Sequence, residues 1–104
     1  MIIKLLLCLN FAVGIGNATQ ALHLALAALN IGQGDEVIVT PCTWISSASC
    51  ILMQNAVPIF CDIESDTLGI NPELLSEQIT SRTKAIILVF VNFIIIKMIG
   101  TMPC

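Results

Sequence analysis

Short apolar runs alternate with helical segments along most of this 104-residue chain. Residues 11–15, 36–40, 57–62 and 85–90 are largely β-branched or otherwise apolar and predict strands. Residues 18–29, 44–53 and 71–79 predict helices, the last one with an Asn-Pro-Glu start at residues 71–73. Strands that alternate with helices in this order are typical of a parallel sheet covered by helices. The sequence therefore predicts an α/β fold with a mostly parallel sheet.

The turn at residues 14–19, GIGNAT, leads from the first predicted strand into the first predicted helix. The first backbone N–H groups of a helix have no partner within it and lie at the positive end of its dipole, so a phosphate is a natural ligand there. The Thr19 hydroxyl either donates to such an anion or simply caps the helix. Ligands of parallel sheets bind at the carboxyl ends of the strands, so we expect this turn and the loop at residues 41–44 to share one edge.

A few other side chains have more than one plausible role. Trp44, the only tryptophan, either fills the core or offers a flat surface to a planar ring. His23 lies in an apolar helix and is predicted to be a hydrogen-bonded core residue. Asp35 and Glu36 are expected in solvent before their strand. The five cysteines form no C-x-x-C pair and are predicted to be small hydrophobic residues in a reducing compartment, with no metal site.

The composition limits the possible partners. The chain is 57% hydrophobic and 11% charged, against about a quarter charged in a typical soluble domain, so a partner, a membrane or the rest of a larger protein is expected to cover part of its surface. With four Lys and Arg residues and a net charge of -3, no nucleic acid is expected as a ligand. Residues 1–16 imitate a secretory signal but contain Asn10 and no clean cleavage site, so a cytoplasmic location is expected, with export as the alternative.

Several motifs together resemble one enzyme family. They are NATQALHLAL at residues 17–26, IGQGDEVIVTP at 31–41, TW at 43–44, PIFCDI at 58–63 and TKAII at 83–87. In this order and register they are similar to the amino-terminal part of the DegT/DnrJ/StrS sugar aminotransferases. The resemblance covers residues 11–90, leaves residues 1–10 as an unmatched amino-terminal segment, and ends before a divergent apolar tail at residues 91–104.

The resemblance implies part of the large domain of a fold-type-I enzyme that uses pyridoxal 5′-phosphate. Such an enzyme transfers an amino group, usually from glutamate, to a keto-sugar nucleotide in polysaccharide or antibiotic sugar synthesis, and its members are homodimers. Carried over to this chain, Ala18, Thr19 and Gln20 match the turn that holds the cofactor phosphate. Trp44 matches the aromatic residue that stacks on the pyridine ring.

The chain departs from the family pattern where the chemistry would occur. The family's Schiff-base lysine and the aspartate that pairs with the pyridine nitrogen both lie beyond the segment that matches. Lys84 matches an ordinary position before a strand, and Lys4 and Lys97 lie outside the resembling motifs. No catalytic residue is therefore assigned, and the chain is expected to be an inactive fragment of a truncated or frameshifted reading frame. The alternative is a non-catalytic fragment that docks on a full-length aminotransferase or a membrane.

Overall fold

The computed structural model describes residues 11–90 and 93–98. The helices are α1 (Ala18–Ala28), α2 (Ser46–Met53) and α3 (Pro72–Gln78), and the strands are β1 (Glu36–Val39), β2 (Val57–Phe60), β3 (Thr83–Phe90) and β4 (Phe93–Met98). They form one sheet in the order β2-β1-β3-β4, in which β1 is parallel to both β2 and β3. This confirms the predicted α/β fold with its parallel strands. The segment at residues 1–10, with Lys4 and most of the signal-like region, lies outside the described residues, as do residues 91–92 and 99–104.

Strand β1 is buried on both faces and divides the core into two clusters. Val37 and Val39 face α1 and α2, where Leu26 and Ile51 are completely buried. Ile38 points to the other face, where it meets Ile86 and the partly buried residues near α3. A strand covered on both faces reads as a continuous apolar run, which is why β1 was recognisable in the sequence.

The helices and turns begin and end as local signals predict. The Asn71 side chain accepts hydrogen bonds from the backbone N–H groups of Glu73 and Leu74, and Pro72 occupies the first turn of α3. The chain leaves α1 through Asn30 at φ 54° and turns into β1 through Gly34 at φ 89°. These two residue types tolerate the left-handed region best, so the turn between α1 and β1 is encoded locally.

The predicted strand at residues 11–15 is wrong. These residues form no strand, and Phe11 and Val13 are 88% and 79% exposed. A strand needs a hydrogen-bonding neighbour, and none of the described strands pairs with this segment. The sheet instead gains β4, which is antiparallel to β3 and lies in the apolar tail. Within the described residues no helix is both long and apolar enough to cross a membrane.

Glu36 is not in solvent, contrary to the prediction. It is the first residue of β1 and is only 3% exposed, because β1 lies between β2 and β3 and pairs with both. Its carboxylate lies 2.6 Å from the Arg82 guanidinium and accepts a hydrogen bond of 2.5 Å from the Thr80 hydroxyl. A buried carboxylate needs such partners, and here they come from the turn before β3. The cluster therefore ties the amino ends of β1 and β3 together.

Candidate functional site

The amino terminus of α1 presents unpaired donors. Asn17 is the N-cap residue: its side-chain oxygen accepts a 2.9 Å hydrogen bond from the Gln20 N–H, and its carbonyl accepts one from Ala21. The Ala18 and Thr19 amides lie in the first turn, where a helix supplies no acceptor for them. Because Asn17 provides the cap, Thr19 is not the simple capping residue that was one of its two possible roles. The first turn thus offers N–H groups and a positive dipole end to an anion.

A side-chain hydrogen bond joins this helix terminus to the next one along the chain. The Thr19 Oγ1 atom lies 2.8 Å from the Ser46 Oγ atom. Ser46 is the first residue of α2 and follows the loop that contains Trp44. The turn at residues 14–19 therefore contacts the start of α2, two residues after the loop at 41–44 ends. What brings them together is this hydrogen bond and the packing of α1 on α2, and not the strand that was predicted at residues 11–15.

The loop after β1 is fixed by its own hydrogen bonds and leaves the tryptophan exposed. Thr40 is completely buried, and its hydroxyl accepts a hydrogen bond of 3.3 Å from the Cys42 N–H. The hydroxyls of Thr43 and Ser47 are 3.1 Å apart. Trp44 stands between these anchored residues with 76% of its surface exposed. Core filling, the first of its two predicted roles, is therefore wrong, and its ring is open to a ligand or a partner.

The exposed Gln20 side chain folds back toward Gly16. Its backbone N–H is taken by Asn17, and its side-chain oxygen folds back over Gly16, where an added Cβ would come within 2.9 Å of it. Gln20 therefore closes the turn at Gly16. The donors that remain for an anion are the amides of Ala18 and Thr19 and the Thr19 hydroxyl. None of these donors carries a negative charge, so the set fits a phosphate, and the exposed Trp44 ring fits a planar ring beside it.

The other candidate residues lie elsewhere. His23 is half-buried within α1 and belongs to neither core cluster. Lys84 is exposed near the start of β3, at a register shift opposite Glu36 and Val37, so it lies at the amino edge of the sheet. A mostly apolar cleft of about 300 Å³, lined by Glu64 and its neighbours up to Ile70 together with two β3 residues, contains none of the predicted site residues.

Two cysteines are unsuited to act as nucleophiles. Burial raises the pKa of the Cys50 thiol, and burial together with the charge of Asp62 raises the pKa of the Cys61 thiol. Both therefore stay protonated near neutral pH and behave as the small hydrophobic residues that the sequence predicts. Among the residues 11–90 and 93–98 no group of His, Cys, Asp and Glu side chains could hold a metal ion.

Ser46 is the site residue that the sequence reasoning missed. The available signal was the Ser-Ser pair at residues 46–47, where polar side chains begin a helix that follows a loop at the ligand edge. Serines at such positions usually cap their own helix. Here the N-cap position is Ile45, which makes no side-chain capping bond, and the serine hydroxyls reach other segments.

Comparisons with known proteins agree with the fold. Residues 4–92 match the DegT/DnrJ/EryC1/StrS aminotransferase family. The L-glutamine:2-deoxy-scyllo-inosose aminotransferase of Streptomyces fradiae is 42% identical over 90 residues, which are 86% of this chain and 21% of that protein. The chain therefore spans about a fifth of the length of this relative.

Solved structures show the same likeness. An aminotransferase from Psychrobacter cryohalolentis superposes with a TM-score of 0.72 at 47% identity, over 74% of this chain and 20% of that one. The sugar aminotransferase Spr1654 from Streptococcus pneumoniae, in its PLP form, gives a TM-score of 0.65 at 45% identity, over 66% of this chain and 18% of that one. The fold is thus part of a fold-type-I aminotransferase.

Proposed function

The chain belongs to the DegT/DnrJ/EryC1/StrS aminotransferase family, and we propose that its residues 11–90 are the amino-terminal part of a pyridoxal-phosphate-binding large domain. The whole protein is then a cytoplasmic homodimer that aminates a keto-sugar nucleotide for polysaccharide or antibiotic sugar synthesis. Glutamate is the amino donor expected from the resemblance, whereas the Streptomyces fradiae relative is named for L-glutamine. Both donors are alternatives for this chain.

In this proposal, different residues of the site bind different parts of the cofactor. The Ala18 and Thr19 amides and the Thr19 hydroxyl hold the phosphate, Gln20 closes the turn behind it, and Trp44 stacks on the ring. When bound, the cofactor supplies the electron sink that amino-group transfer requires. The observation that supports this proposal best is the 2.8 Å contact between Thr19 and Ser46, because it joins the first turn of α1 to the start of α2, two residues after the exposed Trp44.

We further propose that residues 1–104 bind the cofactor without catalysing transamination. The chemistry needs a lysine amine that reaches the cofactor and carries protons. Lys84 lies at the amino end of β3, three residues before the Ile87 that pairs with Val39, so about 10 Å of strand separates it from the level of the site. Because the resemblance places the family's Schiff-base lysine and aspartate beyond the matching segment, we assign the residues that use the cofactor to the part of the relatives' length that this chain does not span.

Binding is tested through the fluorescence of Trp44, which is the only tryptophan in a chain without tyrosine. The probe is pyridoxamine 5′-phosphate, whose amine forms no Schiff base with surface lysines. Quenching is expected to saturate with this probe and to require a higher concentration of pyridoxamine, which lacks the phosphate. Thr19→Val is expected to weaken binding of the phosphorylated probe by about tenfold or more, because a hydrogen bond to a charged group contributes about 1.5–3 kcal/mol, whereas Thr67→Val in a remote loop leaves the binding unchanged. Equal quenching by both probes would refute the phosphate site.

Catalysis is tested separately from binding. The chain is incubated with pyridoxal 5′-phosphate and either L-glutamate or L-glutamine, and formation of pyridoxamine 5′-phosphate is measured against a protein-free control. We expect no difference from the control. Conversion that exceeds the control and survives Lys84→Met would show that another group of the chain supports the reaction and would overturn the second part of the proposal.

A non-catalytic docking role is the second candidate, and the exposed apolar side chains favour it. Phe11, Ile45 and Leu52 are 88%, 70% and 59% exposed, which is unusual for large apolar residues. The occupant we assign is a full-length aminotransferase of the same family. Mixing the two purified proteins is expected to give one stoichiometric complex on size-exclusion chromatography if this role is correct, whereas independent elution would reject it.

A further inference from the structure

Two hydroxyl pairs surround the start of α2, and they differ in what they connect. Ser46 is 7% exposed and Ser47 is completely buried. The Ser47 hydroxyl meets Thr43, four residues earlier in the loop that leads into α2. The Ser46 hydroxyl meets Thr19, which lies 27 residues earlier at the start of α1. Both serines thus make one partly buried hydroxyl contact each, but only the Ser46 contact reaches the proposed phosphate site.

We propose that Ser46 is a positioning residue that orients the Thr19 hydroxyl toward the bound phosphate. This inference rests on the proposed function. A threonine hydroxyl has one proton and two lone pairs, and a phosphate oxygen accepts but does not donate when ionised. If Thr19 gave its proton to Ser46, it would have none for the phosphate. The arrangement that satisfies both contacts therefore runs in one direction: Ser46 donates to Thr19, and Thr19 donates to the phosphate.

This order of donation has two consequences. Hydrogen bonds aligned head to tail polarise one another, so the Ser46 contact strengthens the Thr19 donor. It also removes the competing orientation, in which the Thr19 proton is turned away from the ligand. Ser46 touches no ligand itself, and its contribution appears only when the ligand carries a phosphate. A purely structural tie between α1 and α2 would instead affect phosphorylated and unphosphorylated ligands alike.

The measured quantity is the ratio of the Kd of pyridoxamine to the Kd of pyridoxamine 5′-phosphate, both from quenching of Trp44. Ser46→Ala is expected to lower this ratio about fivefold, with the Kd of pyridoxamine unchanged. Ser46→Thr keeps the hydroxyl and is expected to restore most of the ratio. Ser47→Ala is the matched control, since it removes one equally buried hydroxyl from the same helix turn, and it is expected to leave the ratio unchanged.

The outcomes separate this inference from the proposed function. A wild-type chain that does not prefer the phosphorylated probe would overturn both. A wild-type preference that survives Ser46→Ala, or that falls equally in Ser46→Ala and Ser47→Ala, would overturn the positioning role alone. If Ser46→Ala does not fold by circular dichroism, Ser46→Cys replaces it, because its thiol is a weak donor of similar size. An unchanged ratio in Ser46→Cys would then overturn the inference.

Discussion

Replacing Trp44 with alanine distinguishes a ligand-facing aromatic from a core residue. A fully buried aromatic side chain removes about 150–250 Å² from water. Trp44 is 76% exposed, so the covered quarter amounts to about 60 Å² at most. At about 25 cal/mol per Å², its removal costs no more than about 1.5 kcal/mol of the free energy of unfolding. Leu26→Ala, at a completely buried position of α1, is expected to cost about 2–5 kcal/mol because it also leaves a cavity.

The assay is urea unfolding followed by far-ultraviolet circular dichroism, since Trp44→Ala removes the fluorescent reporter. The free energy of unfolding is compared among the wild type, Trp44→Ala and Leu26→Ala at constant slope. Calorimetry then measures binding of pyridoxamine 5′-phosphate, which Trp44→Ala is expected to weaken about fivefold and Trp44→Phe to preserve, as a stacking role requires. A loss of stability in Trp44→Ala as large as that in Leu26→Ala would show that the ring packs on the core and would refute the reasoning.

Two further predictions concern buried polar groups. Glu36→Gln is expected to lower the free energy of unfolding by about 1–3 kcal/mol, because it removes the buried carboxylate that pairs with Arg82. Glu77→Gln, at an exposed position of α3, is expected to change the free energy of unfolding little. Equal effects of the two substitutions in urea unfolding would contradict this prediction. The raised pKa values of the Cys50 and Cys61 thiols mean that the folded state holds these protons more firmly than the unfolded state, so stability is expected to fall as the pH rises above about 9.0. A Cys50→Ala/Cys61→Ala variant is expected to show a smaller decline, and an equal decline would argue against the thiols as its cause.

The features that could be predicted from the sequence are those determined by residues close together in the sequence. The Asn17 cap, the Asn-Pro-Glu start of α3 and the turn through Gly34 each depend on residues within one turn of each other. The parallel strands β1 and β3 were also predictable, because burial on both faces leaves a run of apolar residues. The helix terminus proposed to bind phosphate was likewise predictable, since it depends on consecutive residues around Asn17.

The features that could not be predicted depend on distant partners. The apolar run at residues 11–15 satisfies every local rule for a strand, but no strand of the described chain offers it hydrogen bonds. Glutamate is a residue type usually found at the surface, and Glu36 can be buried only because it contacts Thr80 and Arg82, more than 40 positions away. The pairing of β4 with β3 is equally non-local, because an apolar run does not determine which strand it pairs with or in which direction.

Ser46 shows how local sequence signals and contacts between distant residues combine at the candidate site. The sequence indicates that Thr19 stands at a helix terminus, and the position alone leaves the direction of its hydroxyl undecided. A second hydroxyl at 2.8 Å restricts that direction, and it is supplied by the helix that follows the Trp44 loop. In the proposed site, the same contact therefore relates the phosphate donor to the ring surface. The proposed site therefore depends on the packing of α1 on α2, and among the residues that the structure describes Lys84 lies away from it, at the other edge of the sheet.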